Sequence, residues 1–214
     1  MQWIDVDKNA FLRSATKDKK AAPAEPKMKS RLVARGDLSH VFNRSDSPTA
    51  DKEAVFMVLS FASSRGLTIK SGDLDHGYFQ GERLSNPLAL RQPAGGLPAP
   101  GIRLRPDDRL LAFVPIYGTR DAGRSLWRKI RRVLLSREFT ENFVLNALYA
   151  FTRDGVVQVL LATHVDDTIW AYEPEVDFIM DEIQKELVSG AEEQLKFRFC
   201  DSRWTRILSH SRSG

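Results

Sequence analysis

The residues best suited to chemistry in this 214-residue chain are two adjacent carboxylates, Asp166 and Asp167, in the stretch Ala162-Thr163-His164-Val165-Asp166-Asp167-Thr168-Ile169-Trp170. Val156 to Leu161 and Thr168 to Tyr172 flank them and are rich in β-branched and aromatic residues, so the pair is expected where a hairpin turns. Two readings follow. Asp is a common turn former, and the pair could be a solvated turn. Hard divalent cations take oxygen ligands, and magnesium needs a further carboxylate or substrate phosphates beside such a pair. Asp73 is the candidate third carboxylate, preceded by the strand-like Thr68-Ile69-Lys70 and followed by the small Gly77 and the aromatic Tyr78 and Phe79.

Taken together, Asp73-Leu74-Asp75-His76-Gly77-Tyr78-Phe79-Gln80-Gly81 and His164-Val165-Asp166-Asp167 resemble motifs A and C of a reverse transcriptase palm. The similarity is to the polymerase domain of Ty1/copia-type retrotransposons, with motifs of the form D-V-K-x-A-F-L-x-G and Y-V-D-D. Lys29-Ser30-Arg31-Leu32-Val33-Ala34-Arg35-Gly36 resembles the K-A-R-L-V-A-R-G fingers strand of that family. Tyr117, Gly118, Arg124 and Trp127 match its L-Y-G-L-K-Q-A-P-R-A-W segment, with Arg120 keeping the charge of a Lys, while Asp121 and Gly123 depart from it. Gln92-Pro93-Ala94-Gly95 matches a Q-P-x-G segment.

This resemblance implies RNA-directed DNA polymerisation, with deoxynucleoside triphosphates added to a primer 3′-hydroxyl on an RNA or DNA template. Two magnesium ions, or manganese, would be held by Asp73, Asp166, Asp167 and the Leu74 carbonyl. Two metals clamp the attacking and leaving oxygens of such an in-line displacement. Arg31, and after it Lys29 and Arg35, would bind the triphosphate, the Arg fork matching phosphate oxygens in pairs. Leu74, Asp75, His76, Gly77 and Tyr78 would line the nucleotide site, with Tyr78 rejecting a 2′-hydroxyl by collision. Gly118, Arg120, Arg124 and His164 would face the nucleic acid, although His164 stands where the family has Tyr. Considered without the resemblance, Tyr78 and Phe79 read as core aromatics, and a lone His reads as structural.

Several elements must position these groups. Ser47-Pro48-Thr49, with Asp51 and Glu53 following, marks a helix start; Val55, Val58, Leu59 and Ala62 recur at helical spacing, and Gly66 is placed to end it. Leu110 to Val114 reads as a buried strand, and residues 81–109 as a long connection with little regular structure. From Asp121, Leu126, Ile130, Val133 and Leu134 form one apolar helix face, with Arg124, Arg128, Lys129, Arg131 and Arg132 around the remainder. Those arginines and lysines read either as a solvated face or as salt-sensitive contacts to a polyanion. Asp154-Gly155 announces a hairpin that delivers the Asp-Asp pair. A helix is expected from Glu175 and a strand over Leu195 to Cys200.

With 42% hydrophobic residues the chain can bury a real core, and its net charge of +4 is modest. The single Cys200 excludes an internal disulfide, there is no Cys/His spacing for zinc, and a reducing intracellular setting, cytoplasmic or nuclear, is expected. No apolar run reaches the roughly 18–20 residues of a membrane helix, and residues 1–12 lack the pattern of a secretory signal.

The expected fold is α+β: right-hand fingers and palm over residues 29–200, with a small antiparallel sheet that has helices on one side. Residues 1–28 read as a flexible basic segment, in which Ile4 to Leu12 only chances to match motif A. Residues 201–214 do not continue the family pattern and read as a disordered tail; thumb, RNase H and integrase, the other parts of the Pol polyprotein, are expected to be missing, which predicts weak or no processive synthesis. A catalytically dead nucleic-acid-binding remnant and a carboxylate metal nuclease are the alternative functions.

Overall fold

Val159-Leu160-Leu161-Ala162 is apolar at every position, and a strand of that kind must be covered on both faces. A computed structural model describes residues 1–7, 25–38, 45–94, 96–97, 101, 104–105 and 107–190, and the backbone of 193–194, 196–199 and 202–205. In chain order the elements are β1 (Gln2–Asp7), β2 (Met28–Val33), α1 (Lys52–Arg65), β3 (Ile69–Asp73), β4 (Leu88–Arg91), β5 (Arg109–Ala112), α2 (Ala122–Leu135), β6 (Phe139–Glu141), β7 (Leu148–Arg153), β8 (Val156–His164), β9 (Asp167–Tyr172), α3 (Asp177–Glu186), β10 (Glu193–Gln194), β11 (Lys196–Phe199) and β12 (Ser202–Thr205). The mixed α+β class is as expected. The chain divides into two compact units, Met1–Asn43 with Arg83–Arg120, and Arg44–Glu82 with Asp121–Gly214.

The second unit is built on a six-stranded sheet in the order β10-β3-β9-β8-β7-β6, and the pairings between its strands are antiparallel. Alternation sends Val159, Leu161, Trp170, Tyr149 and Phe151 to one face, where Leu126, Ile130 and Val133 of α2 and Met180 and Ile183 of α3 pack on them. Leu148, Leu160, Ala162, Ile169 and Ala171 face the other way, against Ala54, Val55, Val58 and Ala62 of α1. Helices therefore cover both faces, which corrects the one-sided expectation.

Helix α1 ends as its sequence dictates. The Asp51 side chain accepts the Ala54 N–H at 2.9 Å, and Gly66 takes a left-handed φ of 68° while its N–H donates to Ala62 and Ser63 carbonyls. Its start lies a turn later than Ser47-Pro48-Thr49 implies, because Asp51 supplies the cap. The Asp154-Gly155 turn between β7 and β8 has positive φ at both residues, as a type I′ hairpin requires. The expected helix from Glu175 is first a short 3₁₀ turn, Pro174–Val176, and then α3.

The basic residues of α2 are largely committed within the fold. Arg124 pairs with Asp46 at 2.7 Å, Arg131 with Glu141 at 2.6 Å, Arg132 with Glu82 at 3.0 Å and Lys129 with Glu186 at 3.4 Å. Arg137, just beyond α2, reaches Glu186 at 2.8 Å and so ties that end to α3.

In the first unit, β1 pairs antiparallel with β2, with Lys29 opposite Val6 and Arg31 opposite Ile4. Part of the segment expected to be flexible is thus a strand: Trp3, Ile4 and Val6 give it the β-branched and aromatic character that the basic stretch after it lacks. Residues 8–24 of that segment lie outside the described residues. β4 pairs with β5, so the connection over 81–109 contains a strand that its prolines and glycines hide. Within the expected tail, β12 pairs with β11; residues 206–214 lie outside the described residues.

Two backbone segments of the first unit clasp each other. The Ala34 N–H donates to the Tyr117 carbonyl at 2.7 Å and the Gly36 N–H to the Gly118 carbonyl at 3.1 Å. Gly118 has a φ of 87°, and a Cβ on either Gly36 or Gly118 would run into backbone atoms of the opposite segment.

Tyr149 is fully buried beside its cross-strand partner Glu141. Burial, reinforced by that carboxylate, pushes its hydroxyl well above the ordinary tyrosine value. The raised folded value means that above the unfolded value, about pH 10, the unfolded chain releases a proton the folded chain keeps, so stability falls as pH rises. Tyr149→Phe should lose this contribution: its melting temperature, followed from about pH 9 to pH 11, should decline less steeply than that of the wild type.

Candidate active site

Asp73 is the last residue of β3 and Asp167 the first of β9, and they are direct cross-strand partners. His164, the last residue of β8, is the other cross-strand partner of Asp167. Register partners share a face, so Asp73, Asp167 and His164 lie on the α1 side of the sheet at its upper end. Asp73 is exposed and Asp166 and Asp167 are half-buried.

A two-residue turn, Val165-Asp166, joins β8 to β9. Positive φ occurs at Val165, 60°, and not at Asp166, the pattern of a type II′ turn. Such a turn favours Gly at its first position, and a β-branched residue there costs on the order of 1–3 kcal/mol. Packing of the Val165 side chain against the α2 and α3 core opposes that cost.

Backbone hydrogen bonds fix the carboxylates from below. The Leu74 N–H donates to the Asp166 carbonyl at 2.9 Å, the Gly190 N–H to the Asp73 carbonyl at 2.8 Å and the Asp75 N–H to the Val188 carbonyl at 3.1 Å. Gly77 fits between Asp166 and α2; a Cβ on it would stand 2.9 Å from the Asp166 Cβ and 3.3 Å from Leu126 Cδ2. The bonds from Gly190 and to Val188, and the close fit of Gly77, are positioning contacts that no motif announced.

The other candidates divide between the units. Around Asp73, Leu74 has its side chain in the core, and its carbonyl accepts the Gly77 N–H at 3.1 Å. Tyr78 is partly buried against the same core. His76 takes a left-handed φ of 53° and meets the Phe79 ring edge-on at 6.3 Å, while the Asp75 carbonyl accepts from Gln80 Nε2 at 2.7 Å. His164 Nδ1 lies 3.3 Å from the Ala50 carbonyl, which requires the proton on Nδ1. The Arg124 guanidinium stacks 5.6 Å from the Trp127 ring as well as pairing with Asp46.

Lys29, Arg31, Gly118 and Arg120 belong to the first unit. There the Arg31 guanidinium lies 5.2 Å over the Tyr117 ring, and Arg120 Nε donates to the Gly36 carbonyl at 3.1 Å. Arg35 of the same motif is gripped by Asp37, with contacts of 2.6 to 3.1 Å, which holds the Asp37 carboxyl below the ordinary range.

The donors around Asp73 are carboxylates and a carbonyl, the oxygen chemistry that magnesium or manganese takes. Among the described residues, no three His, Cys, Asp or Glu side chains converge as a closed metal cluster.

Residues 7–196 match the protein family described as reverse transcriptase (RNA-dependent DNA polymerase). The chain belongs to that family. No curated protein and no solved structure matches it. The match supports the Ty1/copia-type character of this reverse transcriptase domain, and it begins well upstream of Lys29, where the motif resemblance starts. It also spans β2 and the whole six-stranded sheet that carries Asp73 and Asp167, and of β1 it takes in the last residue, Asp7.

The close fit of Gly77 in this reverse transcriptase domain can be tested directly. Gly77→Ala should push Asp166 or Leu126 aside and lower unfolding stability by about 1–3 kcal/mol, measured by denaturant titration. A stability equal to that of the wild type would show that the turn yields freely.

Proposed function

We propose that this chain carries the nucleotidyl-transfer centre of an RNA-directed DNA polymerase, adding deoxynucleotides to a primer 3′-hydroxyl on an RNA or DNA template. The observation that carries this reading is the register of β3 on β9, which sets Asp73 opposite Asp167 and beside the Val165-Asp166 turn. In this reading the six-stranded sheet with its helices is the palm, and the β1–β2 and β4–β5 ribbons are fingers. In this reading the domain would work together with the RNase H and integrase of a Pol polyprotein.

Asp73 and Asp166 would hold two divalent cations, with Asp167 beside them and the Leu74 carbonyl as a further oxygen donor. When bound, the ions would neutralise charge on the transferring phosphoryl group and favour the deprotonated primer hydroxyl. The chain's own groups would do the rest. Arg31 would grip triphosphate oxygens through its planar fork. Gly77 would let the Asp166 turn close on α2 beneath the nucleotide, and Tyr78, with Asp75 and His76 nearby, would line the nucleotide and exclude a 2′-hydroxyl by contact. Gly118, Arg120, Arg124 and His164 would border the template and primer. The pairing of Arg124 with Asp46 supports a part for it in shaping that border, whereas Arg120, bonded to the neutral Gly36 carbonyl, would keep its charge for the polyanion.

The second reading is a nucleic-acid-binding remnant without chemistry. His164, standing where the family motif has Tyr, favours it.

Single-nucleotide extension of a labelled primer on an RNA template separates the two. The wild type should extend the primer with magnesium and stop when the metal is chelated, and Asp166→Asn should lose about 10²–10³ in rate. Salt-sensitive duplex binding with no incorporation by the wild type would leave only the second reading. Tyr78→Ala should raise the use of ribonucleotides relative to deoxynucleotides by about 10- to 200-fold, read as the ratio of kcat/KM values; an unchanged ratio would remove Tyr78 from the gate.

A further inference from the structure

The loop between β6 and β7 leaves the sheet at the same end as the Asp166 turn. β7 runs antiparallel to β8 with Leu148 opposite Ala162, so the residues before Leu148 and those after Ala162 emerge together. The Thr163 N–H donates to the Ala147 carbonyl at 3.0 Å and carries the pairing up to the loop. Neighbouring strands are about 4.8 Å apart, which sets the loop roughly 5–10 Å to the side of β8. That flank is the one away from β3, Asp73 and Tyr78.

The loop is held in shape. Asn142 Oδ1 accepts the N–H groups of Val144 and Leu145, both at 2.8 Å, and the Asn142 N–H donates to the Leu148 carbonyl at 2.8 Å. Leu145 anchors the loop in the core on the α1 side. The turn leaves Phe143 100% exposed and Val144 88% exposed. Single exposed apolar residues are ordinary. Here an Asx turn and a partly buried anchor hold two adjacent ones outward, next to the candidate active site.

We infer that Phe143 and Val144 form an apolar contact with the primer–template duplex behind the primer 3′ end, an assignment that rests on the polymerase reading above. If the nucleotide lies on the β3 flank with Tyr78, the primer strand reaches the Asp166 turn from the opposite flank, where this loop stands. An RNA-containing duplex of A-like form presents a wide, shallow minor groove of sugars and base edges, a surface that uncharged side chains can meet without regard to sequence. The nearby Glu141 does not oppose this, because Arg131 neutralises it at 2.6 Å.

The contact has a signature that charge-based binding lacks. Neutral side chains release no counterions, so removing them should weaken binding equally at every salt concentration and leave the salt slope unchanged. The experiment is fluorescence anisotropy with a labelled DNA primer on an RNA template, across a salt series. It compares the wild type, the double variant Phe143→Ser/Val144→Ser and Phe178→Ser. Phe178 is an exposed aromatic at the start of α3, near the opposite end of the sheet. The double variant should bind about tenfold more weakly with the wild-type slope and an unchanged melting temperature, while Phe178→Ser binds as the wild type does.

Equal binding by the double variant and the wild type overturns the contact and leaves the polymerase reading standing. An equal loss in Phe178→Ser overturns it too, as does a wild-type dimer in gel filtration that the double variant dissolves, which would make the loop a self-association surface. Failure of the wild type to bind the duplex at all overturns the polymerase reading together with the contact.

Discussion

The register of β3 against β9 is the constraint on which the candidate site depends. Strand side chains alternate with a period of two, so a slip of one residue would send Asp73 to the opposite face from Asp167. Gly72 holds the register. The Trp170 ring lies over it so closely that a Cβ there would meet Cη2 at 3.3 Å, and its carbonyl accepts the Thr168 hydroxyl at 3.0 Å. Trp170 is in turn buried against the α2 and α3 core. Core packing thus determines which face presents the carboxylates, and an apolar contact one residue below the site fixes where its charges stand.

Charge is handled differently from what composition implies. The cationic helix α2 spends most of its arginines and lysines on carboxylates of β6, α3 and the segments around Asp46 and Glu82. Exposed pairs of this kind contribute little stability each. They do lower the positive field that a polyanion would meet. Under the proposed function, recognition of nucleic acid by this unit would rely more on shape and uncharged contact than the count of basic residues implies.

Much of this was legible in the residues. Asp51 and Gly66 frame α1 because capping is a local property, and Asp154-Gly155 marks its turn for the same reason. The Asp-Asp hairpin and the strand leading into Asp73 followed from the motifs, while their pairing in register came from the structure. Coverage on both faces of the sheet went against the one-sided expectation, although the unbroken apolar run Val159 to Ala162 carries the signal for it. The ion pairs of α2 were not legible, since they join residues as far apart as Lys129 and Glu186. Neither were β1 and β4, short strands whose pairing depends on partners distant in the chain. Asn142 gave no signal of its own, because an Asx turn in a loop looks like any polar connection until its acceptor is seen.

The clasp between Val33 to Gly36 and Tyr117 to Gly118 bears on how such a sequence can drift. A core residue that grows can be accommodated by a neighbour that shrinks, and paired substitutions explore sequence in that way. Gly36 and Gly118 have no such exchange, because each lies against the other segment's main chain, which cannot be made smaller. Their codons should resist change separately and resist compensation jointly. The two glycines can be lost only when the segments themselves part.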